Sequence, residues 1–401
     1  MRLIHFADIH LGFRQFQRLT SDGRGNQREA DVARAFQRAI DRTIELDPEV
    51  VLIGGDVFHS VRPSNPAILL AYANFARLAR ELPDAVIVMV AGNHDTPRSV
   101  ETGCILRLFS PLGIHVIEGE QERLSFEDRE LSIYAVPNLP KGKIALEPDP
   151  AYRHNILLLH GEIEGVLPYP RDDARAAQVY KLSEIAPERW SYVALGDYHV
   201  YYPVAPNACY SGSLEYASTS AWSEVWEQRR EEKRHKIPGK GIVEFDLVKG
   251  TRVFHPLRGL RSFIDLPAID ARGMSASDVD TAIRRNVEAW PGGIGDAVVR
   301  QVVREIPRHI ARELDHKSLR EFKRHALHFN VDARHPDSSG KRVSSKGRRA
   351  SLADIVRDKL HGRPLASDVD RNSLTELGMR YLSEATAREE GALAAAVEAT
   401  E

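Results

Sequence analysis

The 401-residue sequence has little cysteine, no long apolar run and almost no net charge. Its two cysteines, Cys104 and Cys209, fit neither a zinc site nor a disulfide framework, so a reducing cytoplasm is the simplest compartment. No apolar run reaches about 18 residues, and we therefore expect no membrane-spanning helix and no membrane partner. Residues 2–7 lack the regions of a signal peptide and are typical of a first strand.

The balance of charges excludes a globally basic coat for nucleic acid. Lysine and arginine number 55 and aspartate and glutamate 57, which gives a formal net charge of −2. Net charge does not report how charges are distributed. Residues 300–349 carry 14 basic and 6 acidic residues. This stripe is typical of a phosphate-binding face, but a solvated surface explains it equally well.

Short apolar runs alternate with longer amphipathic segments through residues 1–258. The runs at 50–53 and 85–90 are apolar without alternation, which is typical of strands covered on both faces. Val32, Phe36 and Ile40 recur at a four-residue spacing that predicts a helix over 29–46. Strands separated by helices predict an α/β sheet.

The pattern changes beyond residue 258. Residues 259–336 predict a small α+β domain, and the polar, basic stretch 337–350 is typical of a flexible linker. Residues 351–401 predict a helical tail. Its two helices each begin with a capping box, in which Ser351 precedes Asp354 and Ser373 precedes Glu376. Their apolar stripes suit either a partner's groove or the chain's own surface.

Polar side chains gather where five predicted strands end. In open α/β sheets, ligands bind just beyond the carboxyl ends of the strands, so we expect these side chains to share one edge. Adjacent glycines allow tight turns there. The residues are Asp8, His10, Asp56, His59, Asn93, His94, Asp95, His160, Glu162, Asp197 and His199.

A set of carboxylates, imidazoles and a carboxamide suits two divalent metal ions. Borderline ions such as Mn²⁺ accept mixed oxygen and imidazole ligands. Two such ions about 3.5–4 Å apart clamp the attacking and leaving oxygens of a phosphoryl displacement and activate water. His94 is not required as a ligand, and we predict that it donates a proton to the leaving oxygen while Asp95 orients it.

The motifs resemble those of calcineurin-like metallophosphoesterases, and in particular the SbcD-type nuclease subunit of DNA double-strand-break repair. The resemblance is specific at residues 6–12, 55–59 and 92–95. It implies a four-layer αββα sandwich over 1–258, a capping domain that recognises DNA over 259–336, and an ATPase-binding segment over 351–401. It also implies DNA cleavage, an SbcC-type SMC-like ATPase partner and a homodimer.

The resemblance further implies the metal ligands, residue by residue. Asp56 would bridge the two ions, and His94 would assist the leaving group. His59 resembles the residue that steers the substrate phosphate for exonuclease cleavage. The implied ligands of the first ion are Asp8, His10, Asp56 and His199, and those of the second are Asp56, Asn93, His160 and Asp197.

Residue 197 departs from the family pattern. The family has Gly-His-x-His where this chain has Gly196-Asp197-Tyr198-His199. Aspartate ligates Mn²⁺, so the site is not predicted to be dead. A third carboxylate lowers the net charge of the cluster, which should polarise the phosphate less but hold the second metal against less competition from protons.

Two basic residues near the motifs are candidates for contacts with DNA. Arg14 and Arg62 would bind phosphates, and Phe13 and Phe16 would stack on bases. Two other functions remain open. One is a phosphodiesterase for a small substrate, which the predicted capping domain argues against. The other is a DNA-binding scaffold whose metal site is impaired by Asp197.

Overall fold

The computed structural model describes residues 1–97, 103–138, 145–166, 177–237, 239–336, 353, 356–357, 359–360 and 370–383. The chain divides into two compact units, residues 1–336 and residues 337–401. The predicted linker 337–350 and the predicted cap Ser351 lie outside the described residues. No described helix is long and apolar enough to cross a membrane.

The described strands all lie in the first unit, between residues 2 and 333. In chain order they are β1 Arg2–Phe6, β2 Val50–Ile53, β3 Val86–Val90, β4 His115–Ile117, β5 Glu122–Phe126, β6 Leu131–Val136, β7 His154–His160, β8 Glu162–Ile163, β9 Val179–Tyr180, β10 Tyr192–Gly196, β11 Tyr202–Ala205, β12 Ala208–Tyr210, β13 Gly241–Asp246, β14 Thr251–Pro256, β15 Phe263–Asp270, β16 Val298–Arg304 and β17 His328–Ala333.

Helices cover the sheets and connect the strands. They are α1 Gln27–Leu46, α2 Asn65–Glu81, α3 Leu182–Ile185, α4 Ala221–His235, α5 Ala276–Glu288, α6 Arg308–Arg312 and α7 His316–His325, with a further helix, α8, over 371–383. Short 3-10 turns lie at Ile105–Leu112, Glu127–Arg129 and Pro187–Arg189.

Two six-stranded mixed sheets form the main body. The first has the order β14-β13-β1-β2-β3-β4, and the second has the order β11-β12-β10-β7-β6-β5. One buried core lies between the sheets, where Leu52 and Val88 meet Leu158 and Ala194. The α/β sandwich predicted from the sequence is therefore confirmed.

The outer faces of the two sheets are covered differently. Helices α1 and α2 cover the first sheet through residues such as Phe36 and Phe75. Asn26 caps α1 by accepting hydrogen bonds from the amides of Arg28 and Glu29, which explains why that helix begins at residue 27. The second sheet is covered by shorter elements, including α3 and the ring of Trp190.

A smaller sheet follows the main body within the same unit. Its order is β15-β16-β17, and both pairings are parallel. Each parallel pairing needs a crossover, and helices α5 to α7 supply the crossovers. Strands and helices are present over 259–336 as predicted, but they alternate along the chain and the strands pair in parallel. The arrangement is therefore α/β and not the predicted α+β.

The second unit is described mainly through α8. Its cap differs from the predicted capping box, because Asp370 accepts hydrogen bonds from the amide and hydroxyl of Ser373, each at 2.8 Å. Ser373 therefore lies inside the first turn of α8, and Asp370 takes the capping position. Leu377 and Tyr381 are exposed.

Candidate metal centre

The predicted site residues meet where β1, β2, β3, β7 and β10 end. These five strands run parallel to a neighbour within their sheets, so their carboxyl ends can share one edge. Two glycines bring the sheets together there. A Cβ on Gly196 would lie 1.9 Å from the carbonyl oxygen of Gly54, so only glycine permits this approach.

One half of the site is built from Asp8, His10 and His199. The Nε2 atoms of His10 and His199 lie 2.9 Å apart. Donor atoms of all three residues lie within 4.8 Å of one another. Nε2 of His10 is also 3.6 Å from Oδ2 of Asp56, which joins this half to the other.

The other half is centred on His160. Its Nε2 lies 2.9 Å from Oδ1 of Asn93, 3.8 Å from Oδ1 of Asp56 and 3.9 Å from Oδ1 of Asp197. Its Nδ1 lies 2.7 Å from the carbonyl oxygen of Gly54. A proton on Nδ1 therefore leaves the lone pair of Nε2 available to a metal ion.

Four of these residues adopt left-handed backbone conformations. The φ angles are +53° at Asp8, +53° at His10, +51° at Asp56 and +102° at Asp197. Residues other than glycine rarely adopt such φ angles, and each residue that does so costs on the order of 1–3 kcal/mol of stability. The backbone conformations that turn these side chains into the site therefore lower the stability of the fold.

The electrostatics of the site favour a bound cation. Burial raises the pKa of Asp8 to about 6, and the neighbouring carboxylates of Asp56 and Asp197 add to the rise, although His199 and His160 oppose it. Burial likewise raises the pKa of Asp56. Crowded, buried carboxylates resist ionisation until a positive charge compensates them.

The histidines respond to the same surroundings in opposite directions. Burial, together with the neighbouring imidazoles, holds the pKa of His10 well below its usual value. Burial also opposes the charged form of His160, but the carboxylates of Asp56, Asp197 and Asp8 outweigh it and raise the pKa. A neutral His10 is ready to bind a metal ion without releasing a proton.

The predicted role of Asp95 does not match its contacts. Its carboxylate accepts hydrogen bonds from the backbone amides of Val57, Phe58 and Gly92, at 3.0–3.1 Å. The ring of His94 instead donates from Nδ1 to the carbonyl oxygen of His59 at 2.8 Å. Asp95 therefore ties together the turns that follow β2 and β3, and the described contacts do not support direct orientation of His94.

His59 and His94 lie beside the first half of the site. Their rings stack with centroids 5.1 Å apart, and each ring packs edge-on against His10. The ring of Phe13 packs edge-on against that of His59, with centroids 5.0 Å apart. Donor atoms of His10, His59 and His94 lie within 4.8 Å of one another, so both predicted histidines are at the site.

The predicted DNA contacts differ in exposure. Phe13 is only 2% exposed, so the prediction that it stacks on bases is wrong, and the ring of Phe16 already stacks on His328.

The two predicted arginine contacts are exposed. Arg14 is ion-paired with Glu29 at 2.7 Å, and Arg62 is exposed. Part of the basic stripe is used internally, because Arg300 pairs with Asp265 at 2.8 Å and stacks on Trp222. The free positive charge of the stripe is therefore smaller than its sequence suggests.

A buried charge pair, which the sequence did not predict, lies behind His199. Glu224 on α4 and Lys240 before β13 form an ion pair with side chains 4% and 2% exposed. Burial opposes ionisation of Glu224, but Lys240 and His199 outweigh it and bring its pKa to about 2. A lone glutamate in a charged helix gives no sequence signal of this kind.

Comparison with known proteins agrees with this geometry. Residues 1–218 match the family described as calcineurin-like phosphoesterase, and that segment contains every predicted metal ligand. The chain belongs to the calcineurin-like phosphoesterase family. Enzymes of this family are hydrolases of phosphoesters, which agrees with carboxylates and imidazoles grouped to hold divalent metal ions.

Relatives within the family are DNA double-strand break repair proteins Mre11. The chain is 29% identical to that of Methanocaldococcus jannaschii over 259 residues, which cover 61% of this chain and 62% of the relative. It is 26% identical to that of Methanopyrus kandleri over 263 residues, 61% of this chain and 54% of the relative. The chain thus matches less than two thirds of each relative.

Proposed function

We propose that this chain is a metal-dependent DNA nuclease that hydrolyses phosphodiester bonds in DNA repair or processing. The observation that carries the proposal is the convergence of Asp8, His10, Asp56, His160 and His199 at one edge, with donor atoms in groups within 4.8 Å. The similarity to Mre11 proteins supports DNA as the substrate.

Two divalent ions, which we propose to be Mn²⁺, would be held by the predicted ligands. Asp8, His10 and His199 would hold one ion, and Asn93, His160 and Asp197 would hold the other, with Asp56 between them. Three of these ligands, Asp8, Asp56 and Asp197, are buried carboxylates. Ionising three carboxylates in a buried site is costly unless bound cations compensate their charge, so the donor set fits divalent metal ions. When bound, such ions supply Lewis acidity and activate water.

Residues beside the proposed ions have roles of their own. The ring of His94 is fixed through Nδ1 by the carbonyl oxygen of His59, so its second nitrogen would serve the leaving oxygen. His59 stacks on His94 and would guide the substrate phosphate. We further propose Arg14 and Arg62 as contacts with the DNA backbone.

We propose roles for the domains of the chain and for its partner in the same way. Residues 1–258 would form the nuclease domain and 259–336 a DNA-recognition domain, while 337–350 would link them to an ATPase-binding segment at 351–401. The partner would be an SbcC-type SMC-like ATPase, with the protein acting as a homodimer in the cytoplasm. An exposed apolar pair on α8, Leu377 and Tyr381, supports a partner for the tail.

Digestion of single- and double-stranded DNA with Mn²⁺ tests the proposal. We expect cleavage by the unmodified protein and its loss in Asn93→Ala and His94→Ala. A change of about 100-fold or more is expected for each, since one removes a proposed ligand and the other a proposed proton donor. Substitution of exposed Arg24 by Ala serves as a matched surface control and should leave cleavage unchanged.

A chromogenic phosphodiester assayed beside DNA separates the alternatives. Turnover of the small ester alone would overturn the DNA substrate and favour a small-substrate phosphodiesterase. Binding of DNA without turnover of either substrate would overturn the enzyme assignment and favour a scaffold.

A further inference from the structure

The imidazole of His199 is held between the site and a buried carboxylate. Its Nε2 lies 2.9 Å from Nε2 of His10 inside the site, and its Nδ1 lies 3.6 Å from Oε2 of Glu224 on the opposite side. A histidine that binds a metal ion through one nitrogen usually has an acceptor facing its other N–H, which fixes the tautomer and the ring orientation.

Glu224 is fixed by contacts on both carboxylate oxygens. Its Oε2 accepts a hydrogen bond from the amide of Ser218 at 2.9 Å. Its Oε1 accepts from the hydroxyl of Ser213 at 3.2 Å and from the ammonium of Lys240. A side chain held in this way cannot turn away from His199 without breaking hydrogen bonds in a buried environment.

Lys240 connects the same carboxylate to the main chain of His199. Its Nζ donates to the carbonyl oxygen of His199 at 2.7 Å and to the hydroxyl of Ser213 at 2.9 Å. The amide of Ser213 also donates to that carbonyl oxygen, at 2.9 Å. The backbone of His199 is therefore held by Lys240 and Ser213, while its ring faces Glu224.

We propose that Glu224, held by Lys240, is a positioning residue that directs Nε2 of His199 towards the metal centre. The inference rests on the proposed function, because it takes His199 to be a metal ligand. It adds two residues that lie beyond the segment matched by the family, which ends at residue 218. Neither residue is a catalytic residue, since each acts through His199.

Binding of Mn²⁺ to the metal-free, full-length protein tests the inference without an activity assay. Free Mn²⁺ is measured by electron paramagnetic resonance during a titration. The unmodified protein should bind two ions. Glu224→Gln should keep one site and weaken the other about 10- to 100-fold, which is the usual effect of losing a partner behind a metal ligand.

Two outcomes separate this inference from the proposed function. If the unmodified protein binds no Mn²⁺, the proposed metal centre fails. If it binds two ions and Glu224→Gln binds them equally well, only the positioning role fails.

Glu215→Gln is the matched control for a general effect of losing a buried carboxylate. Glu215 is 1% exposed and pairs with Arg28 at 3.3 Å, but it makes no described contact with His199. The control should bind both ions with unchanged affinity. Equal weakening in Glu215→Gln and Glu224→Gln would assign the effect to stability and overturn the inference.

A double variant allows for misfolding of Glu224→Gln, which leaves the ammonium of Lys240 buried without its partner. Glu224→Gln combined with Lys240→Met removes both charges, and we expect it to fold, as judged by circular dichroism. The Mn²⁺ site that contains His199 should still bind about 10- to 100-fold more weakly than in the unmodified protein. Full affinity in the folded double variant would contradict the positioning role.

Discussion

At the residue scale, Asp197 is where the chain departs most clearly from the resemblance that its motifs suggest. Its backbone is left-handed, its amide donates to Oδ1 of Asp8 at 3.0 Å, and its Oδ1 lies 3.9 Å from Nε2 of His160. The side chain is 1% exposed. Asp197 thus lies where we propose a ligand of the second metal ion, and its carboxylate would be a harder, negatively charged donor in place of an imidazole.

Replacing Asp197 by histidine tests this assignment. Histidine ordinarily keeps its proton up to about pH 6.5 and aspartate only to about pH 3.9, so protons compete for a histidine ligand at higher pH. We expect Asp197→His to retain Mn²⁺-dependent hydrolysis, with the acid limb of its pH profile shifted upward by roughly one unit. Rates measured from pH 5 to 9 provide the comparison.

Asp197→Ala is the control, since it supplies no donor and should lose most of the activity. Complete inactivity of a folded Asp197→His variant would contradict the assignment of residue 197 as a ligand.

The sequence predicted the site residues better than their contacts. Each polar residue follows a strand that is apolar enough to recognise, so the shared edge could be inferred from topology rules. The contacts of Asp95 could not, because they depend on how the turns after β2 and β3 pack. Glu224 was missed because its partners, His199 and Lys240, come from separate parts of the chain.

At the element scale, strand boundaries were predicted closely, but strand order was not. Strand β2 was predicted at its observed bounds, since a continuous apolar run identifies a buried strand. The β11–β12 hairpin was missed, because β11 is half-buried throughout and contains Pro203. The division into two sheets depends on long-range pairing, which local patterns do not encode.

The close approach of β10 to the turn after β2 gives a prediction about Gly196. A methyl group there would lie 1.9 Å from the carbonyl oxygen of Gly54, and backbone cannot yield as a flexible side chain would. We expect Gly196→Ala to lower the free energy of unfolding by about 1–3 kcal/mol or more. Urea denaturation measures the change.

Gly119→Ala is the matched control, because nothing lies within 4 Å of a Cβ at that position. It should be nearly neutral. Equal stability of Gly196→Ala and Gly119→Ala would mean that the two sheets do not meet closely at this point.

At the scale of the first unit, one charged cluster joins the main body to the smaller sheet. Asp31 on α1 pairs with Arg28 at 2.9 Å and accepts from Nη2 of Arg261, just before β15, at 2.7 Å. Apolar contacts lie beside it, where Phe263 and Val298 of the smaller sheet pack on α4 through Val225. Neutralising Asp31 should therefore weaken the whole unit and not only α1.

The pH dependence of stability reports the same cluster. Burial opposes ionisation of Asp31, but its bonds with Arg261 and Arg28 outweigh burial and lower its pKa. A lowered pKa in the folded state means that the stabilisation is fully present above the unfolded value near 3.9 and is lost as the pH falls through the folded value.

Asp31→Asn should lower the free energy of unfolding by an amount on the order of 3 kcal/mol at pH 7 and by less at pH 3. Thermal unfolding of both proteins from pH 3 to 8 measures this. Asp84→Asn, at an exposed carboxylate, is the control and should have little effect at either pH. A deficit in Asp31→Asn that stays constant down to pH 3 would show that the ion pairs do not join the two parts.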